Sequence, residues 1–221
     1  LLRRQGVTHL VVLPFEAALA GQTAEEFVGD LRAACHPLGG VVVGADWKFG
    51  KGRSGDVALL KRMGGFEVDG IPAVTIGGKP ISSTAIRLAV ARGDLAFAGE
   101  ALGRPYAVFG RVVPGRKLGR ELGFPTANLE TDGFQLPPDG VYAVRVGIGE
   151  ESYAGVANLG LRPTLSPGDR RLLEVHLLDF EGELYGQDIE VEFLRFVRGE
   201  KKFQSVEELR AQIGRDVAAV R

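Results

Sequence analysis

Along the first hundred residues, short apolar runs alternate with helical patterns. His9 to Leu13 reads as a short buried strand. Thr23-Ala24-Glu25-Glu26 has the form of a capping box, in which a hydroxyl and a glutamate three residues on satisfy each other's backbone N–H, and it opens a helix running to about Ala34. Gly40 to Gly44 is a second apolar strand, Val57 to Met63 a short helix, and Ala73 to Ile76 another strand. Ser82 or Ser83 caps a helix ending near Gly93, and Asp94 caps one that stops at Gly103, with Pro105 just beyond. Such alternation predicts an α/β arrangement around a parallel sheet.

The pattern changes at Gly103-Arg104-Pro105, and we place a domain boundary there, giving 1–103 and 104–221. Period-two strands dominate beyond it, over 106–113, 141–148, 152–158, 172–179 and 188–196, separated by Pro/Gly/Asp turns. Short strands with such turns predict a closed antiparallel barrel. Ser205-Val206-Glu207-Glu208 is a second capping-box pattern. Val206, Leu209, Ile213, Val217 and Val220 then recur at helical spacing, and this stripe reads as core packed on the barrel.

At 221 residues the chain has room for one large or two small domains. A formal net charge of −1 argues against bulk attraction to nucleic acid or an anionic membrane. Cys35 is the single cysteine, so no intrachain disulfide or cysteine zinc cluster forms, which fits a reducing, cytoplasmic compartment. No apolar run approaches the ~20 residues a membrane helix needs.

Positive charge gathers in one place. Gly110 to Asn128 runs from a strand into a glycine-rich loop carrying Arg116, Lys117 and Arg120, and ends in Phe124-Pro125-Thr126-Ala127-Asn128. Gly115 and Gly119 would let the backbone approach an anion. Pro125 fixes φ just before Thr126. Thr126 and Asn128 then offer two neutral oxygens on one face of an extended segment, a donor pair suited to Mg²⁺ with water and phosphate completing its shell. The spacing fits a solvated hairpin loop equally well. It is a near miss for the Walker A loop, because Arg116-Lys117 stands where Lys-Ser/Thr is required. Upstream, Gly50-Lys51-Gly52-Arg53-Ser54-Gly55 matches G-x-G-x-x-G. Asp46-Trp47-Lys48-Phe49 separates it from the preceding strand, so the tight first turn of a dinucleotide site is missing.

The Gly110–Asn128 stretch resembles the riboflavin kinase signature. So do Pro138-Asp139-Gly140-Val141-Tyr142, Gly160-Leu161-Arg162-Pro163-Thr164, Leu173-Glu174-Val175-His176 and Arg198-Gly199-Glu200-Lys201-Lys202-Phe203. Val43 to Gly50 and Ile81 to Arg87 resemble the FMN adenylyltransferase half of bacterial FAD synthetase, a family that joins both activities in one polypeptide. The resemblance runs nearly the whole length and keeps the family's order of motifs. It implies a partial Rossmann-like nucleotidyltransferase domain followed by a six-stranded antiparallel barrel with a C-terminal helix.

The resemblance also implies roles. Glu174 aligns with the family's catalytic glutamate, a general base toward the riboflavin 5′-hydroxyl. Its strand pattern alone fits a solvated outer face. Thr126 and Asn128 would hold Mg²⁺, and Gly110, Gly115, Gly119, Arg120 and Thr126 would bind ATP. Arg198 and Phe203 would border the flavin ring, and Arg162 would belong to a mobile loop closing over the substrates. His176 reads as a structural neighbour. Asp46, Phe49, Ser83, Thr84 and Arg87 would be the adenylyltransferase remnant. Ser83, Thr84 and Arg87 at a helix start are also the makings of a phosphate site, or a plain cap with a solvated arginine.

The family's adenylyltransferase site needs two closely spaced histidines in an N-terminal glycine-rich loop. His9, His36 and His176 form no such pair, the chain starts at Leu1, and its single methionine is Met63. The first βα unit is therefore expected to be absent, and the upstream half inactive as given. The expected reaction is phosphorylation of riboflavin to FMN with Mg²⁺ and ATP. The expected partners are small molecules, ATP, riboflavin and FMN, with FAD entering through the upstream half alone. Neither nucleic acid nor membrane is expected, and the oligomeric state stays open. The rival readings are a non-catalytic flavin-binding barrel, an RNA-binding barrel with Phe109 or Phe124 on its surface, and a kinase for a different small-molecule alcohol on the same barrel.

Overall fold

The structure is a computed structural model and describes residues 2–115, 118–161 and 171–221. It divides into two compact units, Leu1–Pro80 and Ile81–Arg221. Packing thus groups residues 81–103 with the barrel, whereas sequence character changes at 103.

The first unit carries α1 (Ala17–Gly21), α2 (Ala24–Ala34), β1 (Gly40–Gly44), α3 (Val57–Met63), β2 (Glu67–Ile71) and a two-residue hairpin, β3 (Thr75–Ile76) with β4 (Lys79–Pro80). β1 and β2 pair in parallel. The capping box forms as the sequence predicts: the Thr23 hydroxyl accepts from Glu26 N, and Glu26 accepts from Thr23 N at 2.8 Å. Ala24, Val28, Phe49 and Leu60 are the buried centre, with Trp47 stacked on Phe49 at 4.5 Å.

Two expectations fail in this unit. His9 to Leu13 is neither paired nor buried, and Val11 and Val12 are 72% and 77% exposed. A strand needs a neighbour for its backbone N–H and C=O groups, and no strand lies beside this run among the described residues. Of Ala73–Ile76, only Thr75–Ile76 is strand. β2 carries no strand signal in the sequence, because Glu67, Asp69 and Gly70 give it the composition of a turn.

The second unit opens with α4 (Ser83–Ala91) and α5 (Leu95–Leu102). Ser82, not Ser83, caps α4, its hydroxyl accepting from Ala85 N. Asp94 caps α5, which ends at Gly103 in the left-handed conformation. The barrel follows: β5 (Tyr106–Val113), β6 (Ala127–Leu129), β7 (Gly140–Ile148), β8 (Glu151–Leu161), β9 (Arg171–Leu177) and β10 (Asp188–Arg198). A short helix, α6 (Leu118–Glu121), lies between β5 and β6, and α7 (Val206–Val220) closes the chain. The strands close in the order β10-β5-β6-β9-β8-β7, with antiparallel pairing throughout.

Alternation sorts each strand's side chains. Leu173, Val175 and Leu177 of β9 point into the core with Ala127, Leu129, Tyr142, Ala157, Leu159 and Phe193. Glu174 and His176 are left on the outer wall, half-buried. Three-residue β6 is too short to show a period, yet it bridges β5 and β9.

Candidate active site

Register builds the site. On the outer wall Val141, Asn158, Glu174 and Asn128 lie opposite one another on β7, β8, β9 and β6. His176 faces Val156 in the neighbouring row, and continuing the β6–β9 register by one residue sets Thr126 beside His176. Residues about fifty positions apart in sequence thus share two adjacent cross-strand rows. α7 lies over this wall, and between them is a cavity of about 370 Å³. Thr126, Asn158, Glu174, His176, Arg198 and Phe203 line it, together with Leu209, Ile213 and Asp216 of α7. A smaller cavity of about 80 Å³ lies on the other side of Thr126, with Arg120, Phe180 and Tyr185 on its wall.

Asn128 is 5% exposed, and its Oδ1 is buried without a hydrogen-bond partner. Buried amide oxygens are ordinarily satisfied, so this acceptor is an opening for a cation or donor. Gly115 packs against it, and a Cβ there would overlap the Asn128 amide. A Cβ on Gly119 would overlap the Phe124 carbonyl and approach Thr126 Oγ1 to 3.3 Å. Neither glycine has a positive φ. Both are therefore needed for lack of bulk rather than for backbone freedom, and what comes close is the Phe124–Asn128 segment. Gly110 sits in mid-β5 against the Glu130 carbonyl, outside the lining of both cavities. Arg116, Lys117 and Arg162 lie outside the described residues.

Arg198 ends β10 and is fastened to α7. Its Nε and Nη2 donate to the buried Asp216 carboxylate at 3.0 and 2.7 Å, and Gln212 donates to the same carboxylate at 2.8 Å. Its guanidinium lies 5.9 Å from the Phe203 ring centroid, and Lys201 approaches that ring to 5.6 Å. Lys201 also pairs with Glu208 at 3.2 Å. The backbone N–H of Gln204, then Lys201, holds the Glu208 carboxyl below the ordinary glutamate range. The second capping box forms by half: Ser205 accepts from Glu208 N, but Glu208 accepts from Gln204 N instead of returning to Ser205.

Reading the α7 stripe as pure core needs correcting, because Leu209 and Ile213 wall the cavity. The missed signal is Asp216, an acid three residues after Ile213 on the inward face of an amphipathic helix. Asn158, Glu200 and Lys201 also line the cavity without having been assigned roles.

The upstream residues divide. Asp46 is exposed and Phe49 is core in the first unit, while Ser83, Thr84 and Arg87 stand exposed at the start of α4 in the second. The G-x-G-x-x-G segment closes on its own unit. Phe49 and Gly55 bridge, Lys51 N donates to Gln22 O, and a Cβ on Gly50 would press on Ala24. Gly50 and Gly55 are held by close packing on Ala24 and Phe49, whereas Gly52 stands in open space with a φ of +64°.

Comparison with known proteins gives a consistent set of likenesses. The family model described as riboflavin kinase matches residues 102–221, and the one described as FAD synthetase matches residues 1–85. A bifunctional riboflavin kinase/FMN adenylyltransferase of Escherichia coli K12 is 44% identical over 220 residues, covering 98% of this chain and 70% of the relative. The protein of that name from Haemophilus influenzae is 42% identical, covering 98% and 71%. A solved structure described as a macrolide-efflux protein from Streptococcus pneumoniae superposes with a TM-score of 0.83 at 35% identity, covering all of this chain and 72% of the other. Among the described residues, no helix is long and apolar enough to cross a membrane.

Proposed function

The chain belongs to the bifunctional riboflavin kinase/FMN adenylyltransferase family, and from that premise we propose that its barrel unit transfers the γ-phosphoryl group of ATP to the 5′-hydroxyl of riboflavin, giving FMN and ADP. The observation that carries this is the pair of cross-strand rows that set Asn128 opposite Glu174 and Thr126 in the next row, with Thr126 and Glu174 on the wall of one cavity.

Glu174 accepts the proton of the attacking hydroxyl as the new O–P bond forms and the bond to the ADP oxygen breaks. A positioned base contributes ~10²–10⁴ in rate to such a step. The larger cavity, with Phe203, Val141, Val156, Leu209 and Ile213 as apolar walls, takes the flavin ring. Arg198 holds the floor of that cavity to α7. Thr126, on the walls of both cavities, divides the flavin side from a nucleotide side that includes Arg120.

The oxygens present fit Mg²⁺: the Asn128 Oδ1 is buried and unpartnered, the Thr126 hydroxyl is in the adjacent row, and no cluster of three His, Cys, Asp or Glu competes among the described residues. Thr126 and Asn128 would hold the ion. When bound, it offsets charge on the phosphoryl oxygens. The FAD synthetase match over 1–85 supports an adenylyltransferase ancestry for Asp46, Phe49, Ser83 and Thr84, with Arg87 just beyond its end. The kinase reading does not draw on them.

Incubation with riboflavin and Mg–ATP, followed by mass-resolved product analysis, is expected to show FMN. Glu174→Gln should lower turnover by ~10²-fold or more with an unchanged thermal midpoint. FMN formation by this variant at the parental rate would remove Glu174 from the mechanism.

A further inference from the structure

His176 takes no part in the chemistry set out above, yet it touches the segment that carries it. It follows Glu174 by two residues on the same outer face of β9. Its Nδ1 lies 2.8 Å from the Pro125 carbonyl oxygen. A carbonyl only accepts, so Nδ1 carries the proton in this contact. The ring also meets Phe124 edge-on, with centroids 5.5 Å apart.

What that contact immobilises follows from the covalent geometry. The pyrrolidine ring fixes φ of Pro125. The peptide joining Pro125 to Thr126 is planar, so its remaining freedom is rotation about ψ of Pro125. Anchoring the carbonyl oxygen removes that rotation. On the far side Ala127 enters the ladder opposite Val175. Gly119 closes the segment from behind, accepting from Phe124 N at 2.7 Å. Thr126 is left with its side-chain torsion alone.

We propose that His176 is a positioning residue for phosphoryl transfer: through the Pro125 carbonyl it aims the Thr126 hydroxyl at the nucleotide, and it ties that hydroxyl to the strand bearing Glu174. This rests on the reading of Thr126 given above. It explains why an imidazole with one nitrogen committed to a backbone carbonyl stands on the cavity wall where an apolar residue would pack.

The test measures Mg–ATP and riboflavin affinity separately, by titration calorimetry on the full chain. His176→Asn keeps an N–H near the Nδ1 position, His176→Gln moves it outward, and His176→Phe keeps the ring without it. Asn should stay within about threefold of the parent for Mg–ATP, whereas Gln and Phe should weaken it roughly five- to tenfold, the scale of one net hydrogen bond. Riboflavin affinity should stay within about twofold in all three, because a merely structural defect weakens both ligands alike. In a Thr126→Ala background, His176→Phe should add nothing.

Equal loss for Asn and Phe, equal loss for both ligands, or an undiminished Phe effect without Thr126 overturns the inference and leaves the kinase reading intact. Thr126→Ala binding Mg–ATP like the parent fails the Thr126 assignment itself. Should His176→Phe not fold, the contrast between Asn and Gln decides.

Discussion

At Gly115 a single methyl group decides whether Asn128 keeps its place. The Asn128 amide occupies the space a Cβ would fill, and it is the oxygen on that amide that lies buried without a partner. Gly115→Ala relieves the overlap by turning the Asn128 side chain, because Asn128's own backbone is fixed between Val113 and Glu174. We expect kcat/KM for Mg–ATP to fall roughly tenfold or more while the thermal midpoint moves by only a few degrees, since overpacking strain of ~1–3 kcal/mol is released into one side chain. Parental kinetics would show that the orientation of Asn128 is immaterial.

The same residues mark what was legible. Period two placed Glu174 and His176 opposite Leu173, Val175 and Leu177, and the burial of those three agrees. The partners of Glu174 across the sheet were not legible, because register between distant strands leaves no trace in either strand's own pattern. The glycines were legible as glycines but not for their reason: close approach between side chain and backbone is a tertiary fact.

At the scale of elements, α7 is a wall of the cavity as well as a prop for the barrel. Its N-terminus is set by Ser205, and its middle is fastened by the Arg198–Asp216 pair. The Asp216 side chain is 5% exposed, so its charge is out of water and depends on Arg198 and Gln212. Removing one partner of a buried pair costs more than the pair contributes, because the other charge is stranded. Arg198 is 23% exposed on its side chain, which lessens that penalty. Asp216→Ala should therefore cost about 2–4 kcal/mol in urea unfolding. It should also raise KM for riboflavin more than KM for ATP, because Arg198 and Phe203 share the flavin side of Thr126. Asp216→Asn, which keeps the shape and one acceptor, should fall between. An Ala variant as stable as the parent would mean that the other contacts of α7, Leu209, Ile213 and the Lys201–Glu208 pair among them, suffice to hold it. The helix ends, the α5 stop at Gly103 and most barrel strands could be read in advance, since caps and alternation are local. His9–Leu13 misled because apolarity there is not matched by a pairing partner among the described residues.

At the scale of the molecule, the units Leu1–Pro80 and Ile81–Arg221 have cores of unequal size. Among the described residues, the first is centred on four buried apolar residues, Ala24, Val28, Phe49 and Leu60, whereas the barrel core has sixteen. Burial of apolar side chains is the main favourable term in folding, at ~25 cal/mol per Å², so the two units should not share one transition. Unfolding of the full chain in urea should show two steps. The earlier one should be reported by Trp47, which packs in the first core and is the chain's single tryptophan, and the later by loss of β-structure in circular dichroism. Ligands separate the steps further. At ~100 times their dissociation constants, Mg–ATP and riboflavin should each add up to ~2.7 kcal/mol to the unit that binds them. The proposed site is confined to the barrel unit, so these ligands should move the later step and leave the Trp47 step where it was. A Trp47 step that moved in parallel would mean either that the units unfold together or that the first unit shares in binding. Repeating the Mg–ATP titration with Thr126→Ala tells these apart: coupled unfolding loses the shift in both steps, whereas a separate nucleotide site in the first unit keeps its own.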